Sequence, residues 1–218
     1  MVQVISACLL VLGVTCFGLA EESQSRGNSP SNVAQTGDET GAPSDAPLIE
    51  AFHPKFDLQR KDERVRARAY LSVDKLPAGS TCQIIVVLNV EKGWHINAKQ
   101  RKPDVVIPVK MRCKSNNKVE LIDVEYPPGK PFRFDGAAAD VLVHDGEVQF
   151  RGTLQIPKEA GGLTEVMEIT INYQACNELG CLPPKDIKLI GKPPIAKHGE
   201  IVKPINGKLF NTKIDPSP

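Results

Sequence analysis

Apolar and polar residues alternate along most of the chain beyond residue 64. Val65, Ala67, Ala69, Leu71 and Val73 interleave with Arg64, Arg66, Arg68 and Ser72, the pattern of a half-buried strand. The runs 82–90 (CQIIVVLNV), 105–113 (VVIPVKMRC), 119–126, 140–144, 147–156, 166–174 and 186–190 continue the series. Turn-forming groups separate them: Pro77-Ala78-Gly79, Ser115-Asn116-Asn117, Pro127-Pro128-Gly129, Asp145-Gly146 and Gly161-Gly162. Asp145-Gly146, set between two alternating runs, predicts a hairpin. About eight closely spaced strands without helix-period segments between them predict an all-β, antiparallel β-sandwich. They exclude a helical bundle.

The two ends differ from this body. Residues 3–20 form an uncharged apolar run ending Gly18-Leu19-Ala20. Small residues at the last and third-last positions predict a signal peptide, cleaved after Ala20; an uncleaved anchor is the alternative. No second stretch approaches the length of a membrane span. The chain is therefore expected to be exported, with no span in its mature part. Residues 21–47 hold almost no large apolar side chains and are rich in Ser, Gly, Pro, Asn and Asp. Such a segment cannot bury enough surface to offset its ordering entropy, and a disordered N-terminal tether is expected. Residues 48–192 are expected to form the domain. The Pro-rich tail 193–218 is expected to pack loosely or extend.

Charge excludes more than it suggests. The whole chain carries a formal +1. Beyond the tether, 171 residues hold 26 Lys and Arg against 21 Asp and Glu, a formal +5. Without clustered Lys and Arg, nucleic acid is not an expected partner. There is no G-x-S-x-G, HExxH, P-loop or dinucleotide fingerprint. His53, His144 and His198 are scattered and are expected to face solvent. Trp94, the single Trp, is expected in the core or at its rim.

Cysteines supply the candidate chemistry. Cys8 and Cys16 fall in the leader; Cys82, Cys113, Cys176 and Cys181 remain. An even number in an exported chain predicts disulfides. Cys82, Ile84, Val86, Leu88 and Val90 share one strand face, and Val105, Ile107, Val109, Met111 and Cys113 share another. Antiparallel pairing of those strands would set Cys82 opposite Cys113, motivating a structural bond; strands in opposite sheets with two free thiols are the alternative. Cys176 and Cys181 flank a four-residue tip in YQACNELGCLPP. A bond closing this short loop contributes about 2 kcal/mol in chain-entropy terms, against about 4 for the longer Cys82–Cys113 loop. Two thiols held this close also suit exchange, in which one attacks a partner and the other resolves the mixed disulfide. The spacing alone leaves redox, structural and metal-binding roles open, although it is not the usual zinc spacing.

The stretch INYQACNELGCLPP resembles the cysteine hairpin of the N-terminal periplasmic domain of the disulfide reductase DsbD. Gly93-Trp94-His95-Ile96-Asn97-Ala98 is similar to the family's Gly-aromatic segment, and Pro131-Phe132-Arg133-Phe134-Asp135-Gly136 to its cap loop. The resemblance covers roughly residues 55–190. It implies an immunoglobulin-like sandwich with a reversible Cys176–Cys181 disulfide and no cofactor. It also implies a thioredoxin-like donor and exported thiol or disulfide acceptor proteins as partners. By position Cys181 meets the partner, Cys176 resolves, and Phe134, with Tyr173, screens the pair. This sequence departs from the family in a tip one residue shorter. His95 and Asn97 stand where tyrosines are frequent, and Phe132 and Arg133 where acidic residues are. His95 or Arg133, if near the couple, would favour thiolate. The rival readings are a binding or adaptor module with structural disulfides, and a metal-handling module using Cys176, Cys181 and His95. Because the chain does not continue into a membrane domain, any electron donor is expected to be a separate protein.

Overall fold

The computed structural model describes residues 48–54, 64–99, 106–136 and 139–211. The expected leader and tether (1–20 and 21–47) and the start of the run at Val105 lie outside the described residues. The strands are β1 (Phe52–Pro54), β2 (Val65–Leu71), β3 (Thr81–Val90), β4 (His95–Asn97), β5 (Lys110–Ser115), β6 (Glu120–Glu125) and β7 (Lys130–Phe132). They continue with β8 (Val141–His144), β9 (Glu147–Gln155), β10 (Met167–Tyr173), β11 (Ala175–Asn177), β12 (Gly180–Cys181) and β13 (Lys185–Gly191), before a short helix α1 (Gly207–Asn211).

Two antiparallel four-stranded sheets, ordered β1-β13-β10-β5 and β2-β3-β9-β6, supply the inward faces of the core. Ile84, Val86 and Leu88 of β3 and Phe150 and Leu154 of β9 come from one sheet. Met167, Ile169 and Ile171 of β10 and Leu189 of β13 come from the other. This is the all-β, immunoglobulin-like sandwich that the alternation and the resemblance predict. Gly152 of β9 faces Ile84, where an added Cβ would lie 2.7 Å from Leu121 Cδ1. Its missing side chain admits Leu121 to the core.

A third, five-stranded sheet, β12-β11-β4-β8-β7, stands at one end. It continues the central strands: β4 follows the end of β3, β8 precedes the start of β9, β11 follows β10, and β12 precedes β13. The rigid sandwich thereby fixes where four of its five strands enter.

Three expectations are corrected. Cys82 and Cys113 are not bonded; both are free thiols. β3 and β5 lie in different sheets, and Cys82 opposes Leu154 while Cys113 opposes Ile169. Alternation fixes which face a residue takes but not which strand lies beside it. Asp145-Gly146 makes a tight turn, with Gly146 at φ +63°, but no hairpin. β8 pairs with β4 and β7 while β9 pairs with β3 and β6, so the turn passes the chain between sheets. The described part of the tail, residues 193–211, does not pack loosely. Ile195 and Ala196 are buried, and Ile195 bridges to Leu76. Leu209 and Phe210 of α1 cover Tyr70, Ile85 and Val87 on the outer face of β2 and β3. The Arg151 guanidinium donates to the carbonyl of Leu209 at 3.0 Å, holding that turn down. This cover explains why β3 is apolar on both faces.

Burial pushes both free thiols up to about 12, since an apolar core disfavours thiolate. Native protein is therefore expected to leave Cys82 and Cys113 unalkylated at pH 8, whereas denaturation without reductant exposes both. Peptide mapping checks this: a linked Cys82–Cys113 peptide pair would contradict it.

Candidate functional site

The site is built by register. Cys176 of β11 lies directly across from Cys181 of β12 on one side and from His95 of β4 on the other. Opposed residues in antiparallel strands project from the same face, so Cys181, Cys176 and His95 form one row. One step along β4, the same face carries Asn97, opposite Val143 of β8. The tip between the cysteines is closed by Asn177, whose Oδ1 accepts from the N–H groups of Leu179 (3.0 Å) and Gly180 (3.1 Å). Gly180 sits at φ +150°, a conformation that favours glycine.

Cys176 and Cys181 are joined by a disulfide, with Cα atoms 4.0 Å apart. Leu182 N–H donates to the Ala175 carbonyl at 2.9 Å, which makes the cysteine pair the narrow, non-hydrogen-bonded kind, where Cα atoms come closest. The backbone N–H and C=O of Cys181 consequently point away from β11. β12 ends its sheet, so these groups face outward from a free edge. The two residues differ in exposure: Cys176 is fully buried and Cys181 is exposed.

Aromatic rings close over His95. Phe132 stacks on it at 4.3 Å and Phe134 at 5.6 Å between centroids, and the two Phe rings meet edge-on at 5.0 Å. Phe132, one of the departures noted in the sequence, is thus the nearer of the two. Tyr173 belongs to the main core at the end of β10, just before the site. Trp94 packs half-buried against the core, with the Arg64 guanidinium 5.1 Å from its ring centre.

The electrostatics overturn one expectation. Burial among apolar groups pulls the His95 imidazole below its ordinary value, partly countered by Asp145. It is neutral at pH 7 and offers no positive charge to a thiolate. Arg133 is exposed and committed to Asp140 in the cap loop, its Nε donating to Oδ1 at 2.5 Å. His144, expected at the surface, is buried against Phe150; desolvation pulls it down to about 4. Among the described residues, no group of three or more His, Cys, Asp or Glu side chains is arranged to hold a metal.

Two amides complete the site. Asn97 is fully buried; its Nδ2 donates to Cys176 Sγ at 3.8 Å and to Gln174 Oε1 at 3.4 Å. Gln174 Nε2 donates in turn to the Leu182 carbonyl at 3.1 Å. The sequence signal for Asn97 was its place two residues after His95, which gives it the same strand face.

An antiparallel sandwich bearing a cross-strand disulfide at a free sheet edge defines the class. The sequence matches the family "Thiol:disulfide interchange protein DsbD, N-terminal" over residues 64–190, and the chain belongs to that family. Among solved structures it is similar to the N-terminal periplasmic domain of ScsB from Proteus mirabilis, at 14% identity and a TM-score of 0.45. That alignment covers 67% of this chain and 54% of the other, so the chain spans about half the length of that structure. No curated protein matches the chain. Among the described residues, no helix is long and apolar enough to cross a membrane.

The two buried histidines make acid destabilising. Each binds fewer protons folded than unfolded below its ordinary value of 6.5. Stability is therefore expected to fall as pH drops from 6.5 toward 4, by at most about 1.4 kcal/mol per pH unit for each histidine. Urea midpoints at pH 7, 6 and 5 measure this, and His144→Leu should flatten the decline. An equally steep decline in that variant would remove His144 from the account.

Proposed function

We propose that this chain is an exported, periplasmic thiol–disulfide exchange module that relays reducing equivalents between protein partners. The observation that carries the reading is the asymmetry of the bridge: one sulfur-bearing residue is fully buried, while the other is exposed on a free sheet edge. Family membership supports the exchange chemistry.

In the reducing direction, a thioredoxin-like donor thiolate attacks Cys181 Sγ. The Cys176–Cys181 bond breaks, and Cys176 leaves with the electron pair and takes up a proton. A second donor thiolate attacks the donor's own sulfur in the mixed disulfide and releases Cys181. The donor is left oxidised by two electrons and the module reduced. Toward an exported acceptor the steps run in mirror image. Cys181 thiolate attacks the acceptor disulfide, then Cys176 attacks Cys181 and releases the acceptor as a dithiol. No cofactor is required, because every electron travels in a sulfur–sulfur bond.

In this reading Cys181 faces the partner and Cys176 resolves, and the difference in their exposure supports that order. The Phe132 and Phe134 rings, stacked on the histidine beside Cys176, act as the cap and hinder approach to the bridge from the Cys176 side. Tyr173 supports the end of β10 from the core. The outward N–H and C=O of Cys181 are free to pair with an extended partner segment.

Trapping tests the assignment. Cys176→Ala is expected to hold a thioredoxin-like protein or an exported acceptor as a mixed disulfide at Cys181, whereas Cys181→Ala traps neither. The couple should equilibrate in glutathione buffers above about −300 mV. A bridge inert to every oxidoreductase offered would leave a binding module with a structural disulfide. Phe132→Ala with Phe134→Ala is expected to speed reduction by dithiothreitol severalfold; an unchanged rate would dismiss the cap.

A further inference from the structure

The chemistry of exchange places a demand on Cys176 that its surroundings barely meet. To resolve a mixed disulfide it must act as a thiolate, yet it is fully buried. An anion there is costly unless something hydrogen-bonds to it. The charged and titratable groups nearby do not serve. His95, across from it on β4, is neutral. His144 at the end of β8 is neutral and packs on Phe150. Asp145 is paired with Lys130 of β7. Arg133 of the cap loop is paired with Asp140. Glu178 lies exposed at the tip and carries the wrong sign. The donor at the sulfur is the Asn97 amide, 3.8 Å from Sγ.

The orientation of that amide is not arbitrary. A side-chain amide presents donors at one end and an acceptor at the other. The Leu182 carbonyl can only accept, so Gln174 must offer it Nε2. Gln174 therefore presents Oε1 to Asn97, and Oε1 can only accept. Asn97 must answer with Nδ2, whose second hydrogen is directed to Cys176 Sγ. A backbone carbonyl adjacent to Cys181 thus sets, through two amides, the polarity at the other cysteine. Asn97 Oδ1 is buried without a hydrogen-bond partner.

We infer that Asn97, oriented by Gln174 from the Leu182 carbonyl, is the hydrogen-bond donor that sustains the Cys176 thiolate during resolution. The inference rests on the exchange reading above. The balanced step is the attack of Cys176 S⁻ on Cys181 Sγ of a mixed disulfide. The Cys176–Cys181 bond forms, and the partner thiolate leaves with the electron pair and takes a proton from solvent. Asn97 accepts no proton; it stabilises charge before the attack.

The test uses the reduced full chain carrying Cys8→Ser and Cys16→Ser, so that neither leader thiol contributes, and the aromatic disulfide 5,5′-dithiobis(2-nitrobenzoate). Attack by Cys181 releases one nitrothiobenzoate at a rate proportional to reagent. Displacement by Cys176 releases a second at a rate independent of reagent. Asn97→Leu is expected to slow the second release about tenfold at pH 7 and to raise the pH of its midpoint, as loss of a charge-assisted hydrogen bond requires. The first release should be unchanged. Gln174→Ala, at a half-exposed position, should act in the same direction to a smaller extent, and it keeps the test decisive should Asn97→Leu fail to fold. An unchanged second release and midpoint in the folded variants would overturn the role of Asn97 while leaving the exchange reading intact. A wild-type protein without any reagent-independent release would overturn both.

Discussion

The opposition of Cys176 and Cys181 across a narrow antiparallel pair is the constraint on which the site depends. It brings two Cα atoms to 4.0 Å and holds both sulfurs on one sheet face. The same register places His95 as the third member of the row. None of this is local to the hairpin. β11 leaves the end of β10 and β12 leads into β13, and those two strands are paired along seven residues. The sandwich therefore aligns the cysteines whether or not the bond between them is closed.

Around that pair the molecule withholds charge. His95 and His144 are desolvated and neutral, and the nearby cations are each engaged by a carboxylate on the surface. What remains at the buried sulfur is a chain of two amides ending on a backbone carbonyl. Such groups hold their dipoles in place without any ion having to be buried. The aromatic rings of the cap lie against the neutral histidine rather than against a charge. The site is buried and preorganised on one side and open along β12 on the other.

The sandwich was legible in the sequence where strands were long. β9 and β10 alternate cleanly over seven residues or more, and β2 and β3 keep a continuous apolar inner face although α1 also covers part of their outer one. The sheet that carries the site was not legible as strands. β4, β7, β11 and β12 have two or three residues each, too few to express a period of two. Their residues were found instead through the cysteine spacing and a family resemblance. Pairing partners were the other blind spot. The Cys82 and Asp145-Gly146 expectations both treated neighbours in sequence pattern as neighbours in a sheet. The tail was misjudged from composition: its prolines concealed Ile195 and Ala196, which enter the core.

The hairpin tip divides its labour unevenly among four positions. Asn177 ties the turn with its side chain, and Gly180 supplies a backbone angle that other residues rarely adopt. Glu178 and Leu179 do neither; Leu179 is 97% exposed. Divergence can therefore rewrite the middle of the tip, altering its charge and greasiness, while the two outer positions keep the loop's shape. A lineage could in this way change the company the hairpin keeps without relearning how to build it.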